Sequence, residues 1–254
     1  MEILIHTYGR HKNQVTWWNL PAEIQRRASL VVQERERDLY YDDYPIIVLP
    51  DHIRKLADTR QYLFETREAD RICILDDDLD FAVRRTDDPT KFREAEPKDV
   101  LDMFETIEGL LEIAYSIVGV AAREGANRNI APYLYRTRQM RIHAINVQTY
   151  RRLGIRFDRV EVMEDFDVTL QFLEAGYSNV VLNNYVTNQR GSNTEGGCSH
   201  YRTLECQEAA ANRLAELHPG IVKVVKKKTK TSWGGQERTD VIVGWKKAYG
   251  KGRS

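Results

Sequence analysis

No stretch of this sequence approaches the roughly 18 consecutive apolar residues of a membrane-spanning helix, so no transmembrane segment is expected. The start, Met1-Glu2-Ile3-Leu4-Ile5, has neither a basic flank nor a small-residue cleavage site, so no signal peptide is expected. Cysteine is scarce: Cys73, Cys198 and Cys206 are odd in number and lack metal-ligand spacing. That argues against a disulfide framework and for free thiols in a reducing compartment. Tandem repeats and a linker-joined second domain are also missing. What is present is an ordinary globular balance, 42% apolar and 30% charged residues, enough for a sizeable core.

Charge of one sign is absent only on average. The chain has 38 Lys/Arg against 38 Asp/Glu, but residues 221–254 hold ten basic and two acidic ones, a surplus of +8. The first 220 residues then carry −8. The chain divides accordingly into a body, 1–220, and a basic C-terminal extension, 221–254. In the extension, lysines alternate with Trp233, Trp245 and Tyr249, a mixture suited to phosphate contacts and base stacking. Arg128, Arg136, Arg138 and Arg141 form a second basic set.

Patterning predicts strands at 2–6, 28–33, 46–49, 72–75, 140–147 and 179–182. It predicts helices at 17–27, 58–69, 98–124, 164–175 and 198–217. Residues 84–98 read as a loop with Pro89 and Pro97, and 188–197 as a polar, glycine-containing loop. Strands alternating with helices imply an α/β fold with parallel pairing. Ligands of such sheets bind beyond the carboxyl ends of the strands. Thr7-Tyr8-Gly9-Arg10 and Asp76-Asp77-Asp78 both fall at such ends.

The run Arg71-Ile72-Cys73-Ile74-Leu75-Asp76-Asp77-Asp78 ends an apolar strand in three carboxylates. Their mutual repulsion is relieved by a divalent cation, and carboxylate oxygens suit Mg²⁺ or Mn²⁺. A water-facing acidic turn is the plainer alternative. Arg60, on the preceding helix, can lean over the same crevice. Glu161-Val162-Met163-Glu164-Asp165-Phe166-Asp167 opens a later helix, where the macrodipole alone favours acids.

This layout resembles the GT-A glycosyltransferases, particularly glycosyltransferase family 2. The matching strings are the Arg60-bearing helix, the strand ending in Asp76-x-Asp78, and Glu164-Asp165 followed by a helix and Ala175-Gly176-Tyr177. Thr7-Tyr8-Gly9-Arg10, Asp58-Thr59-Arg60-Gln61, Asp76 through Phe81 and Gly191 through His200 resemble the TET-associated glycosyltransferases encoded by bacteriophages.

The resemblance implies a GT-A fold with a mixed, mostly parallel central sheet flanked by helices. It implies a nucleoside-diphosphate sugar as donor, a UDP-sugar first, with Mn²⁺ or Mg²⁺. The acceptor would be 5-hydroxymethylcytosine in DNA, and the setting the cytoplasm of a phage-infected host. It assigns Thr7, Arg10, Arg60 and Asp76 to the nucleotide, and Asp78 with Asp76 and His200 to the metal. Asp165 becomes the general base, with Glu164 as its substitute. Arg190 and Arg202 become phosphate contacts, while Asp77 and Asp80 receive no role. Competing readings keep the enzyme but change the acceptor to a polysaccharide or protein. Others make the chain a metal-dependent nuclease, or a nucleic-acid-binding module with a decayed site.

Overall fold

The computed structural model describes residues 1–189, 201–228 and 237–251. The first half begins with β1 (Glu2–His6), α1 (Val15–Asn19), α2 (Ala22–Gln25) and β2 (Ala28–Gln33). A 3₁₀ helix (Glu34–Leu39) leads to β3 (Ile46–Leu49), α3 (Leu56–Thr66) and β4 (Arg71–Leu75). Next come β5 (Leu79–Arg84), β6 (Phe92–Glu94), α4 (Pro97–Ile113), β7 (Ile117–Ala122), α5 (Arg123–Ala126) and β8 (Tyr133–Tyr135). The second half holds β9 (Ile142–Asn146), α6 (Val147–Arg152), α7 (Glu164–Glu174), β10 (Val180–Gln189) and α8 (Leu204–Leu217). It closes with β11 (Val222–Lys228), β12 (Glu237–Val243) and α9 (Trp245–Lys251).

Ten strands form one sheet in the order β3-β2-β1-β4-β9-β7-β10-β5-β6, with β8 also paired to β10. The pairings give β1, β2, β3, β4, β6, β7 and β10 one direction and β5, β8 and β9 the other, so the sheet is mixed but mostly parallel. The register Ile5↔Leu75 brings the carboxyl ends of β1 and β4 side by side. There the acidic run emerges.

Both faces of the sheet are covered. Ile3, Ile5, Cys73 and Leu75 point into one apolar layer with Trp17, Ile24, Phe104 and Ile107. Leu4, Ile72 and Ile74 point into the other with Leu63, Phe64, Phe157 and Phe172. The period-2 alternation of a strand sends neighbours to opposite faces, and burial of both explains the unbroken apolar run 72–75.

Several predicted elements change. The helix expected over 98–124 ends at Ile113, and Ile117–Ala122 is a strand in the middle of the sheet. An apolar run buried on both faces has no alternation to distinguish it from helix. The helix expected over 17–27 breaks into two at Leu20-Pro21, because proline lacks the amide the helix needs. Residues 84–98 include strand β6. They also include the start of α4, where the Glu96 amide donates to Asp99 at 2.8 Å in a capping box. The strand expected at 179–182 continues to Gln189.

The basic extension is a hairpin, β11 on β12 in register Val222↔Val243, followed by α9. Ile221, Val222, Val241 and Ala248 share an apolar cluster with Phe166, Leu170 and Leu173 of α7 and with Ala211 and Leu214 of α8. Among the described residues no helix is long and apolar enough to cross a membrane.

Candidate active site

The crevice begins where β1 stops. Gly9 adopts a left-handed backbone, φ 68°, which turns the chain after Thr7-Tyr8. Its amide donates to both Glu36 oxygens at 3.0 Å, fixing the turn against the 3₁₀ helix. Arg10 then folds back onto the acids: its Nη1 lies 2.5 Å from Asp77 Oδ1 and 2.9 Å from Asp78 Oδ2. Thr7 is buried within this turn. Its hydroxyl accepts from Gln14 Nε2 at 2.9 Å and lies 3.3 Å from the Tyr40 hydroxyl.

The three aspartates are unlike. Asp76 Oδ1 sits 3.3 Å from His6 Nε2 and 3.1 Å from Arg60 Nη2. Burial pushes its pKa up, but the His6 contact and the Arg60 charge outweigh that and hold it at about 2. Burial raises Asp77 against the pull of Arg10, and Oδ2 of Asp77 is buried without a hydrogen-bond partner. Burial also raises Asp78. Arg10 opposes it, and Asp76 and Asp77 add to it by repulsion. Gln189 Nε2, at the end of β10, donates to Asp78 Oδ1 at 2.8 Å. The backbone is pinned by Thr16, whose hydroxyl donates to Asp76 O at 2.6 Å and accepts from the Leu79 amide at 2.8 Å.

Arg60 connects this strand end to α7. Its Nη1 lies 2.7 Å from Glu164 Oε1, so one buried guanidinium serves Asp76 and Glu164 together. Burial raises the pKa of Glu164, Arg60 pulls it down, and Asp165 pushes it back up. Met163, immediately before, has φ 66°, a backbone that non-glycine residues hold only under tertiary constraint. Asp165 is the more open acid. Its Oδ2 receives Arg138 Nη2 at 3.1 Å and Nε at 3.3 Å. Arg138 in turn lies 4.0 Å above the Phe166 ring, which stacks on Trp245 at 5.7 Å. Beneath the site His143 is fully buried with both ring nitrogens unpartnered. Burial, reinforced by nearby Arg60, lowers its pKa to about 3.

Thr7, Arg10, Arg60, Asp76, Asp78 and Glu164 thus belong to one connected cluster, with Asp165 on its rim through α7. Arg202 lies close enough to Glu164 to draw its pKa down. His200 and Arg190 lie outside the described residues. Sequence reasoning missed His6, Thr16, Tyr40, Gln189 and the Arg10–Asp77 pair. His6 alone had a visible signal, a polar side chain ending an apolar strand. The others are set by contacts across 33 residues or more. Asp80, also without an expected role, accepts from Asn19 Nδ2 at 3.0 Å and helps hold α1 to β5.

The donor set fits a divalent cation. Asp76 and Asp78 offer hard oxygens, and the partnerless Asp77 oxygen marks a surplus of negative charge. Among the described residues no group of three His, Cys, Asp or Glu side chains closes around one point. Mg²⁺ commonly takes one or two carboxylates and completes its shell with water and substrate phosphates.

Among the described residues, four basic side chains of the extension are held in ion pairs, two of them to Asp240 within the extension itself. Lys226 pairs with Glu208 at 2.8 Å, Lys227 and Arg238 with Asp240 at 3.2 and 2.8 Å, and Lys251 with Glu174 at 3.1 Å.

The family described as TET-Associated Glycosyltransferase matches residues 1–197. A beta-glucosyl-HMC-alpha-glucosyl-transferase of Enterobacteria phage T2 is 23% identical over 207 residues, covering 75% of this chain and 72% of the relative. Its counterpart from Enterobacteria phage T6 is 22% identical over the same shares. Among solved structures, glucosyl-3-phosphoglycerate synthase from Mycobacterium tuberculosis, in complex with Mg²⁺ and UDP, superposes with a TM-score of 0.54. The identity is 10%, with 95% of this chain and 86% of that one covered. The likeness identifies the fold as GT-A.

Proposed function

Because the chain belongs to the TET-associated glycosyltransferase family and is therefore a glycosyltransferase, we propose that it transfers a hexose from a nucleoside-diphosphate sugar to 5-hydroxymethylcytosine in DNA. The observation that carries the reading is the single cluster joining the β4 acids to the first turn of α7 through Arg60. In this reading the acids at the end of β4 face the nucleotide and Asp165 faces the acceptor, on two elements joined through Arg60.

In this reading Asp76, with Thr7, Arg10 and Arg60 around it, orients the nucleoside and its phosphates. Asp78 and Asp76 hold the divalent cation, with His200 as a further ligand. A bound cation supplies charge stabilisation for the departing diphosphate. The acceptor oxygen bonds to the anomeric carbon as the bond from that carbon to the diphosphate oxygen breaks. Asp165 takes the hydroxyl proton, a contribution typically of about 10²- to 10⁴-fold. Glu164, paired with Arg60, keeps the first turn of α7 in place.

The phage relatives' name supports glucose as the hexose. It also supports a second reading, in which the accepting hydroxyl belongs to a sugar already on the base. The test incubates the full chain with Mn²⁺ or Mg²⁺, a panel of nucleotide sugars and DNA carrying either hydroxymethylcytosine or its glucosylated form, then weighs the released nucleosides. A gain of one hexose on the first DNA supports the main reading, and a gain confined to the second supports the alternative. No gain with any donor rejects both, and nicked DNA without a donor requirement identifies a nuclease.

A further inference from the structure

The connection between β8 and β9 carries two arginines two residues apart, each with its guanidinium over an aromatic ring. Arg136 lies 4.1 Å above Tyr249, and Arg138 lies 4.0 Å above Phe166. Tyr249 and Trp245, the residue stacked under Phe166, are four apart on α9 and share one face of that helix. The backbone between the arginines is clamped: the Thr137 amide donates to Asn179 Oδ1 at 3.2 Å, and Asn179 Nδ2 donates to Thr137 O at 2.8 Å. Arg136 holds a left-handed backbone, φ 52°, within this clamp.

A guanidinium resting on a ring keeps its N–H edges pointing outward, where they match a phosphate bidentately. Both arginines are exposed, and Arg136 has no carboxylate partner among the described residues. Arg138 has Asp165, but that pair is partly open, its arginine side chain 42% exposed. Pairs of this kind contribute about 0–1 kcal/mol, so a docking phosphate displaces the carboxylate at little cost. Lys226, Lys227, Arg238 and Lys251 of the C-terminal segment are likewise in partly open ion pairs. Lys223 and Lys228 of the hairpin are exposed as well, so it is the position beside Asp165, and not charge alone, that singles out the two arginines.

We propose that Arg136 and Arg138, propped on Tyr249 and on the Phe166–Trp245 stack, form the ledge that docks the phosphodiester backbone of the acceptor strand. Docking passes Arg138 from Asp165 to a phosphate, which leaves the Asp165 carboxylate free to receive the acceptor proton. The assignment rests on the proposed transfer to DNA and adds the place where the strand sits.

The test measures binding of the full chain to a hydroxymethylcytosine duplex by fluorescence anisotropy between 50 and 200 mM salt. Each lost phosphate contact lowers the slope of log K against log salt by about 0.9. The double variant Arg136→Gln/Arg138→Gln is expected to lose nearly 2 from the slope and to raise the KM for DNA more than the KM for the free nucleoside. Arg136→Lys/Arg138→Lys is expected to restore most of the slope, and it carries the test where the Gln variant lowers Tm. Lys223→Gln/Lys228→Gln, on the hairpin, is the contrast. A wild-type slope in the Gln double variant overturns the ledge while leaving the DNA acceptor standing, and so does a loss confined to the hairpin variant. A wild-type protein without salt-dependent DNA binding overturns the DNA reading and the ledge with it.

Discussion

Arg60 is the residue on which the cluster turns. It is buried and bridges two carboxylates, so its removal strands Glu164 in a poorly hydrated place and takes a partner from Asp76. Breaking a buried ion pair on one side costs roughly 3–5 kcal/mol. Arg60→Met should lose that much in urea denaturation, and Arg60→Met/Glu164→Gln should recover a good part of it, a coupling a double-mutant cycle reads directly. Asp165→Asn should leave the fold and donor KM near wild type and lower kcat by about 10²- to 10⁴-fold. His143 gives a pH prediction. Its folded pKa of about 3 is depressed from 6.5. Below pH 6.5 the unfolded chain binds a proton the native state refuses, so this residue's contribution to stability is lost as pH falls towards 3. The loss is on the order of a few kcal/mol. His143→Leu should flatten the acid limb of stability against pH over that window, and an unchanged limb would contradict the assignment.

At the scale of elements, α7 and the C-terminal segment behave as one assembly. His218, at the end of α8, contacts Glu174 Oε2 at 2.5 Å and Asp167 Oδ1 at 2.8 Å, tying both ends of α7 to the base of the hairpin. Trp245 of α9 adds a stacking contact on Phe166 of α7. Trp245→Ala should cost about 2–3 kcal/mol, visible as a fall in Tm of roughly 5–10 °C, and should lower kcat by loosening Phe166 and Arg138. Deleting 221–254 should uncover Phe166, Leu170 and Leu173 and yield an aggregating chain; a soluble, fully active 1–220 would count against this packing. Legibility differed by element for the same reason. Helix α7 announced itself by period and by its acidic first turn, whereas β7 did not, because a central strand buried on both faces carries no alternation.

At the scale of the whole molecule, the sheet gathers negative charge at one edge. The carboxyl ends of β1 and β4 meet, and Asp77 and Asp78 are raised in pKa by burial, with repulsion from preceding aspartates adding to it, despite Arg10. A raised carboxyl is protonated more readily in the native state. Its contribution to stability therefore falls as pH rises out of the ordinary carboxylate range, unless a cation takes the proton's place. UDP with Mn²⁺ should raise Tm at pH 7.5 and do so less at pH 5, where protons compete for the same oxygens. Asp78→Asn should abolish the metal-dependent part of that rise. An equal rise at both pH values would separate nucleotide binding from these acids.

The sequence by itself determined the α/β alternation, the apolar strand that ends in acids, the upstream arginine, and the acidic first turn of the later helix. These are local patterns, imposed by the periodicity of strands and helices and by the chemistry of adjacent side chains. Only the tertiary structure decided which charges meet. It set Arg10 on Asp77 and Asp78, Arg60 between Asp76 and Glu164, and Arg138 on Asp165, all pairings across 16 to 104 residues. It also folded the basic extension back as a hairpin and helix packed on α7 and α8. Sheet order and apolar packing govern such contacts, and neither is written in the spacing of the residues that touch.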